Sequence, residues 1–416
     1  MSRRLALICL TTSIALIATA CGNGDAAEPM PQAETGVALH GDFSGTGPGT
    51  LLDARSLPTI DRRLRQLTSI ASRTEYTSTS AITNSETRVS GTVFAPKGTA
   101  PEGGWPVVAL GHATSGIQTD CGPSLSPSLL GLAPVVILLV QAGYVVTVPD
   151  YQGLGSEEVY HPYLEPTTAG NNLIDSVRAA RKLVPDTSDR WVAVGVSQGA
   201  QAAWAANEMA TTYGNGLSLL GSVSLAPPAN LTFLADLAQS GELTKEQESA
   251  YQMTLAALAN EHPDFNLDDY RRGSVEQNWD LLLRCDARSA AARLAAVAQI
   301  AKDDLQPSSQ AATGALRGYL QKMSLPREEA AAPMLVIYGD KDQFIPVEST
   351  DRALAEACGM GDVIEIQRQA DKGHDDLDLS AALPWIRDRF NDVPATDSCA
   401  PPPAPPPPPE VSEEGE

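Results

Sequence analysis

The sequence predicts an α/β fold, in which a mostly parallel sheet is flanked by helices and a helical block is inserted late in the chain. Three observations carry this reading. Apolar runs rich in β-branched residues alternate with helical patterns over residues 106–225, and strands separated by helices imply crossover units and a sheet buried on both faces. One run, residues 192–196, closes on Gly195-Val196-Ser197-Gln198-Gly199 and passes straight into the helix-prone residues 200–206. Residues 230–331 then show helical patterns alone, and strand signals resume at Pro333.

In chain order, Arg3 and Arg4 precede an apolar run over residues 5–20, short for a bilayer span and suited to a signal peptide over residues 1–20. Ala18-Thr19-Ala20-Cys21 resembles a bacterial lipobox, which makes Cys21 the lipidated first residue of an exported chain, either a cell-surface lipoprotein or a secreted protein. Residues 21–50, rich in Gly, Pro, Ala and acidic side chains, read as a flexible tether. The first part of the core is expected over residues 51–229. Within it, residues 71–94 alternate as antiparallel strands at a sheet edge, and residues 97–105 form a Gly/Pro turn. Strands follow over 106–110, 144–150, 192–196 and 219–225, with helices over 129–142 and 171–183. The block at 230–331, with helices over 245–260, 275–283, 289–300 and 311–323, reads as a cap or lid. The core resumes over 332–395 with strands at 333–339 and 363–366, a helix starting near Val347 and a last helix at 378–390. Residues 396–416, with prolines at 401–403 and 405–409, form an acidic, solvated spacer.

Composition narrows the function. A chain of 416 residues, 43% of them hydrophobic, can bury a large core with an insertion. Its net charge of -22 argues against a nucleic-acid partner, because phosphates call for Lys and Arg. With Cys9 in the signal segment and Cys21 lipidated, Cys121, Cys285, Cys358 and Cys399 remain. That even number in an oxidising compartment allows three pairings. The five histidines are scattered and no metal-ligand spacing occurs, so no cofactor is implied.

A Gly-x-Ser-x-Gly pattern between strand and helix holds its serine on a strained turn above the sheet, and the flanking glycines let the helix approach the strand. Serine is a weak nucleophile at its free pKa, so Ser197 needs a base, the base an orienting acid, and the developing oxyanion hydrogen-bond donors. In such sheets the site lies beyond the carboxyl ends of the strands. His374, in the loop after the last strand, is the candidate base. Asp342, three residues past Gly339, is the candidate acid, with Asp340 as its alternative. The backbone N–H of Gln198 is the first oxyanion donor. The second comes from the loop Gly111-His112-Ala113-Thr114-Ser115-Gly116, where Thr114 is preferred and Ser115 is the alternative, while His112 shapes the loop.

The ordered series of residues 111–116, Cys121-Gly122-Pro123-Ser124, Pro149-Asp150-Tyr151-Gln152-Gly153-Leu154-Gly155, His161-Pro162-Tyr163, residues 195–199 and Ala226-Pro227-Pro228 resembles the secretory lipase family of the α/β-hydrolase superfamily. The similarity runs over about residues 75–395. The family's loop usually reads His-Gly-Thr, where this chain has Ala113. The resemblance implies an α/β-hydrolase fold with a helical lid and hydrolysis of acylglycerols or simpler esters through an acyl-enzyme at Ser197. It also implies disulfides Cys121–Cys285 and Cys358–Cys399. The expected partners are a lipid or small-molecule ester and, through Cys21, a membrane. Two alternatives stand beside it. One is a serine peptidase of the same superfamily, with Asp268 and Asp269 or Asp303 and Asp304 anchoring a peptide terminus. The other is an inactive lipid-binding surface lipoprotein.

Overall fold

The computed structural model describes residues 33–156 and 159–400. The expected signal segment, Cys21 and residues 401–416 lie outside the described residues. Strand β1 (Leu51–Ser56) and the short helix α1 (Arg62–Leu67) lead into a long hairpin, β2 (Thr68–Ser80) and β3 (Ser85–Pro96). Then come β4 (Trp105–Gly111), α2 (Ala133–Gln141), β5 (Val145–Pro149), α3 (Pro166–Leu183), β6 (Thr187–Val196), α4 (Gln198–Glu208) and β7 (Ser218–Leu225). Six helices follow without a strand: α5 (Phe233–Ser240), α6 (Lys245–Glu261), α7 (Gly273–Gln277), α8 (Trp279–Leu282), α9 (Ala290–Val297) and α10 (Gln310–Met323). The chain returns to the sheet as β8 (Met334–Gly339), α11 (Val347–Met360), β9 (Ile364–Gln369) and α12 (Ala382–Phe390).

The nine strands form one sheet in the order β1-β2-β3-β5-β4-β6-β7-β8-β9. The β1-β2-β3-β5 neighbours are antiparallel, and every pair from β5 onward is parallel. Both faces are covered, as the apolar strand runs require. Val108, Leu110, Val192 and Val194 pack toward α2 and α12 on one face, while Val107, Ala109, Trp191 and Ala193 pack toward α3 and α4 on the other. The helices between β7 and β8 bury a separate core around Tyr251, Leu255, Leu316 and Leu320.

Three expectations need correction. The tether does not extend to residue 50. From Ala33 onward the chain is hydrogen-bonded to the body, with Gly36 N–H donating to Ser56, Leu39 N–H to Ala54 and Asp42 N–H to Lys182. The first two run along the free edge of β1 and the third reaches the end of α3, and all are backbone bonds that a Gly-rich segment can make without apolar periodicity. The expected spacer likewise begins later than residue 396, because Ser398 N–H donates to Ile364 and Cys399 is bonded to Cys358. Both edges of the sheet are thus covered, which removes open strand edges as templates for association. The expected helix over 129–142 starts only at Ala133, since Leu129 and Leu130 have φ of 53° and 51° and break the helical path.

One side chain at the junction of the helical block with the sheet domain carries an electrostatic cost. Glu261, at the end of α6, has a side chain only 3% exposed, and its Oε1 has no hydrogen-bond partner among the described residues. Burial, reinforced by Glu165, pushes its pKa up to about 8. Glu208, buried beside Arg327, is pushed up to about 7. In the unfolded chain both titrate near 4.5. The native state therefore holds more protons between these limits, and stability falls as pH rises from about 4.5 through about 8. Glu261→Gln is expected to flatten that fall and to raise stability at alkaline pH by a few kcal/mol, each shifted pKa unit corresponding to about 1.4 kcal/mol. Urea unfolding of both proteins at about pH 5 and about pH 9 checks this.

Candidate active site

Parallel register brings the glycines of the predicted turn together. Gly111 at the end of β4 pairs with Gly195 near the end of β6. A methyl group on Gly195 would overlap the Gly199 carbonyl, and one on Gly199 would overlap the carbonyl of Gly111. The helix α4 can start this close to the sheet only because both positions lack a side chain. Between them Ser197 is forced to φ 52° and ψ −120°, outside the conformations that non-glycine residues favour. Its N–H donates to the Leu225 carbonyl of β7 at 2.8 Å, which fixes the turn to the sheet. Gln198 is the first residue of α4, and the first N–H groups of a helix have no partner within it.

The loops after β8 and β9 meet beyond the same end of the sheet. Asp342 is 9% exposed and is held by its own loop, its Oδ1 accepting from Phe344 N–H and Ile345 N–H at 2.8 Å each. Its Oδ2 lies 2.7 Å from His374 Nδ1, and a carboxylate at that position accepts a hydrogen bond from Nδ1–H, which keeps the proton on that nitrogen and leaves Nε2 bare to accept one. The Phe344 ring stands edge-on to the imidazole, with centroids 5.0 Å apart. Asp340, the alternative acid, accepts from Asp371 N–H at 2.8 Å and so ties the two loops together.

Ser197 and His374 line one cavity of about 480 Å³, with Thr114, Phe344 and, from α6, Ala250 and Met253. A smaller enclosed space adjoins it, lined by Ser197, Gln198, Tyr163, Leu231, Leu234 and Phe344, and it is almost wholly apolar. Thr114 lines both spaces, whereas Ser115 lines neither and faces a separate cavity beside the Cys121–Cys285 bond. The Thr114 hydroxyl is bonded to Tyr163 Oη at 2.8 Å. His112 is buried with its two ring nitrogens 2.7 Å and 3.2 Å from the carbonyls of Ala113 and Asp150, as a loop-shaping residue requires. Both expected disulfides are present, and Cys121–Cys285 joins the segment after this loop to the helical block. The acidic pairs weighed as peptide anchors lie elsewhere. Asp268 pairs with Arg271, Asp269 accepts from Ser308, Asp304 accepts from Ser274, and the Asp303 carbonyl accepts from Arg272.

One participant was not picked out by sequence reasoning. The Gln198 side chain lies 2.9 Å from His161 Nε2, and His161 Nδ1 lies 2.9 Å from the Gln152 carbonyl. A carbonyl only accepts, so the imidazole proton sits on Nδ1 and Gln198 Nε2 donates to the bare Nε2. Burial pushes the His161 pKa down to about 3, which keeps the ring neutral and this tautomer fixed. The fragment His161-Pro162-Tyr163, already part of the motif series, was the available signal.

Comparison with known proteins bears on the family and the fold. The model of the secretory lipase family matches residues 132–398. Lipase 6 of Candida albicans is 25% identical over 349 residues, 74% of this chain and 70% of the relative. A secreted triacylglycerol lipase, LIP4 of Malassezia globosa, is 22% identical over 84% of this chain and 79% of the relative. Among solved structures, Candida antarctica lipase A in its closed state superposes with a TM-score of 0.68 at 15% identity, covering 88% of this chain and 87% of that one. The rice cell wall degrading esterase LipA from Xanthomonas oryzae gives 0.65 at 20% identity, covering 84% and 97%. These two show the shared α/β-hydrolase fold. The chain belongs to the secretory lipase family and is an exported carboxylic-ester hydrolase.

Proposed function

We propose that the protein hydrolyses lipid esters by acyl transfer through Ser197. The observation that carries this reading is the sharing of one cavity by a serine on a strained turn and a histidine whose Nδ1 is held by a buried carboxylate. In the proposed reaction His374 Nε2 takes the Ser197 hydroxyl proton as Oγ attacks the ester carbonyl, and Asp342 stabilises the imidazolium that forms. The backbone N–H groups of Gln198 and Thr114 receive the negative charge of the tetrahedral intermediate. His374 then passes its proton to the departing alcohol, and water, activated by the same imidazole, releases the acid and restores Ser197.

The open cavity of about 480 Å³, rimmed by Glu246, Lys341 and Asp375, has room for an ester, with the departing alcohol on the His374 side. The apolar space beside Ser197, of about 10 Å³, is too small to hold an acyl chain as it stands. In this reading the helices over residues 230–331 form a lid whose α6 walls the open space. Cys21 anchors the exported chain to a membrane, with the linker running from Cys21 to Ala33.

Ser197→Ala is expected to lower kcat on a p-nitrophenyl ester by about 10⁶ with KM little changed. Near-normal turnover by that variant sinks the acyl-enzyme reading. If the Gln152–His161–Gln198 chain sets the position of the Gln198 N–H, His161→Ala lowers kcat by about ten- to a hundredfold with KM little changed. Because His161 is neutral, the pH profile of kcat keeps its shape. Steady-state kinetics across pH test both points.

A further inference from the structure

Helix α2 contains no charged residue, and one side of it has no cover. Leu130, in the turn before the helix, is 41% exposed, and Val135 and Leu138 are 41% and 49% exposed. Pro134 and Ala142 are exposed on the same side. The opposite side, with Val136, Leu139 and Val140, is buried in the core of the sheet. The stripe opens on the two leucines in the left-handed region, a conformation that branched side chains avoid. That turn buries Leu129 completely and leaves Leu130 facing outward. Exposed apolar patches of this kind mark contact surfaces.

Two neighbouring features indicate what covers it. Helix α1 packs against α2 and presents Arg62, Arg63 and Arg65, all exposed, in a chain with 29 basic and 51 acidic residues. The acid of that turn, Asp61, is occupied in capping α1 and lies 3.6 Å from Arg63. The first described residue, Ala33, donates its N–H to the Leu125 carbonyl and packs on the same core cluster as α2. The chain upstream of it, which includes Cys21, therefore joins the body at this face.

We propose that the α2 stripe and the α1 arginines form a docking surface for a lipid bilayer carrying anionic headgroups. The apolar side chains enter the interfacial layer and the guanidinium groups meet lipid phosphates. Elsewhere the acidic surface is repelled by such a membrane, so the basic cluster sets the orientation. Leu130 also lines the cavity beside the Cys121–Cys285 bond, which is separate from the one that holds Ser197 and His374. The proposal is independent of the triad and of acylation at Cys21.

The test uses the chain beginning at Gly22, which keeps every described residue and lacks the signal segment and Cys21. It is floated with vesicles of phosphatidylcholine and phosphatidylglycerol in equal parts, and with phosphatidylcholine alone. The parent is expected to float with the mixed vesicles. Val135→Gln with Leu138→Gln should weaken that binding by at least about tenfold, and Arg62→Gln with Arg65→Gln should weaken it and remove most of its salt dependence. Both variants should melt at the parent temperature and hydrolyse a dissolved short-chain ester at the parent rate. Parent-like flotation of the Val135/Leu138 variant, or no flotation of the parent on either vesicle, overturns the proposal. A parent dimer that this variant converts to monomer, with no vesicle binding by either, overturns it as well and identifies a self-association face.

Discussion

The architecture of the active site depends on the absence of two methyl groups. Where β4, β6 and the start of α4 converge, Gly111, Gly195 and Gly199 approach so closely that any Cβ on the latter two would overlap backbone. This contact fixes how steeply the chain turns at Ser197, and therefore where the serine hydroxyl and the first N–H of α4 sit above the sheet. The register of β4 with β6 and of β6 with β7 holds the turn on both sides. The loops that carry Asp342 and His374 have only to reach the point so defined. Strain at a single serine is sustained because the surrounding sheet determines its position from three directions.

The polar parts of the site follow a second rule, which is that each buried group is oriented by something that cannot move. Asp342 is fixed by two N–H groups of its own loop before it meets His374. Gln198 is fixed by a neutral histidine, itself fixed by a main-chain carbonyl. Neutral His161 suits this task better than a charged group, since an imidazolium beside the nucleophile would alter the field at the reacting carbonyl. Glu261 breaks the rule, and its raised pKa is the result.

Much of this was legible in the sequence, for identifiable reasons. Strand and helix alternation and the Gly-x-Ser-x-Gly turn are local patterns, so β4 to β7 and Ser197 could be read directly. Asp342 and His374 required chain order in addition, and the disulfides the family resemblance, because their partners lie far away in sequence. What was not legible has its cause in backbone or in space. Residues 33–50 are held by main-chain hydrogen bonds to β1, to the carbonyls of Leu125 and Lys182 and to Thr77 of β2, which leave no trace in apolar spacing. The left-handed Leu129 and Leu130 have no compositional marker, so the start of α2 was placed too early. The His161 contact with Gln198 joins residues 37 apart and exists only once α4 is packed.

The Cys121–Cys285 bond constrains how substrate can enter. It ties the helical block to the segment that continues from the oxyanion loop, so the block cannot lift as a whole from that side. On the lid reading proposed above, the bond would act as a pivot and the side free to move would be the opposite one, where α6 places Ala250 and Met253 on the cavity. Opening there would widen the cavity while the loop carrying Thr114 stays in place, so the proposed oxyanion donors would keep their positions and gating would be separate from transition-state geometry.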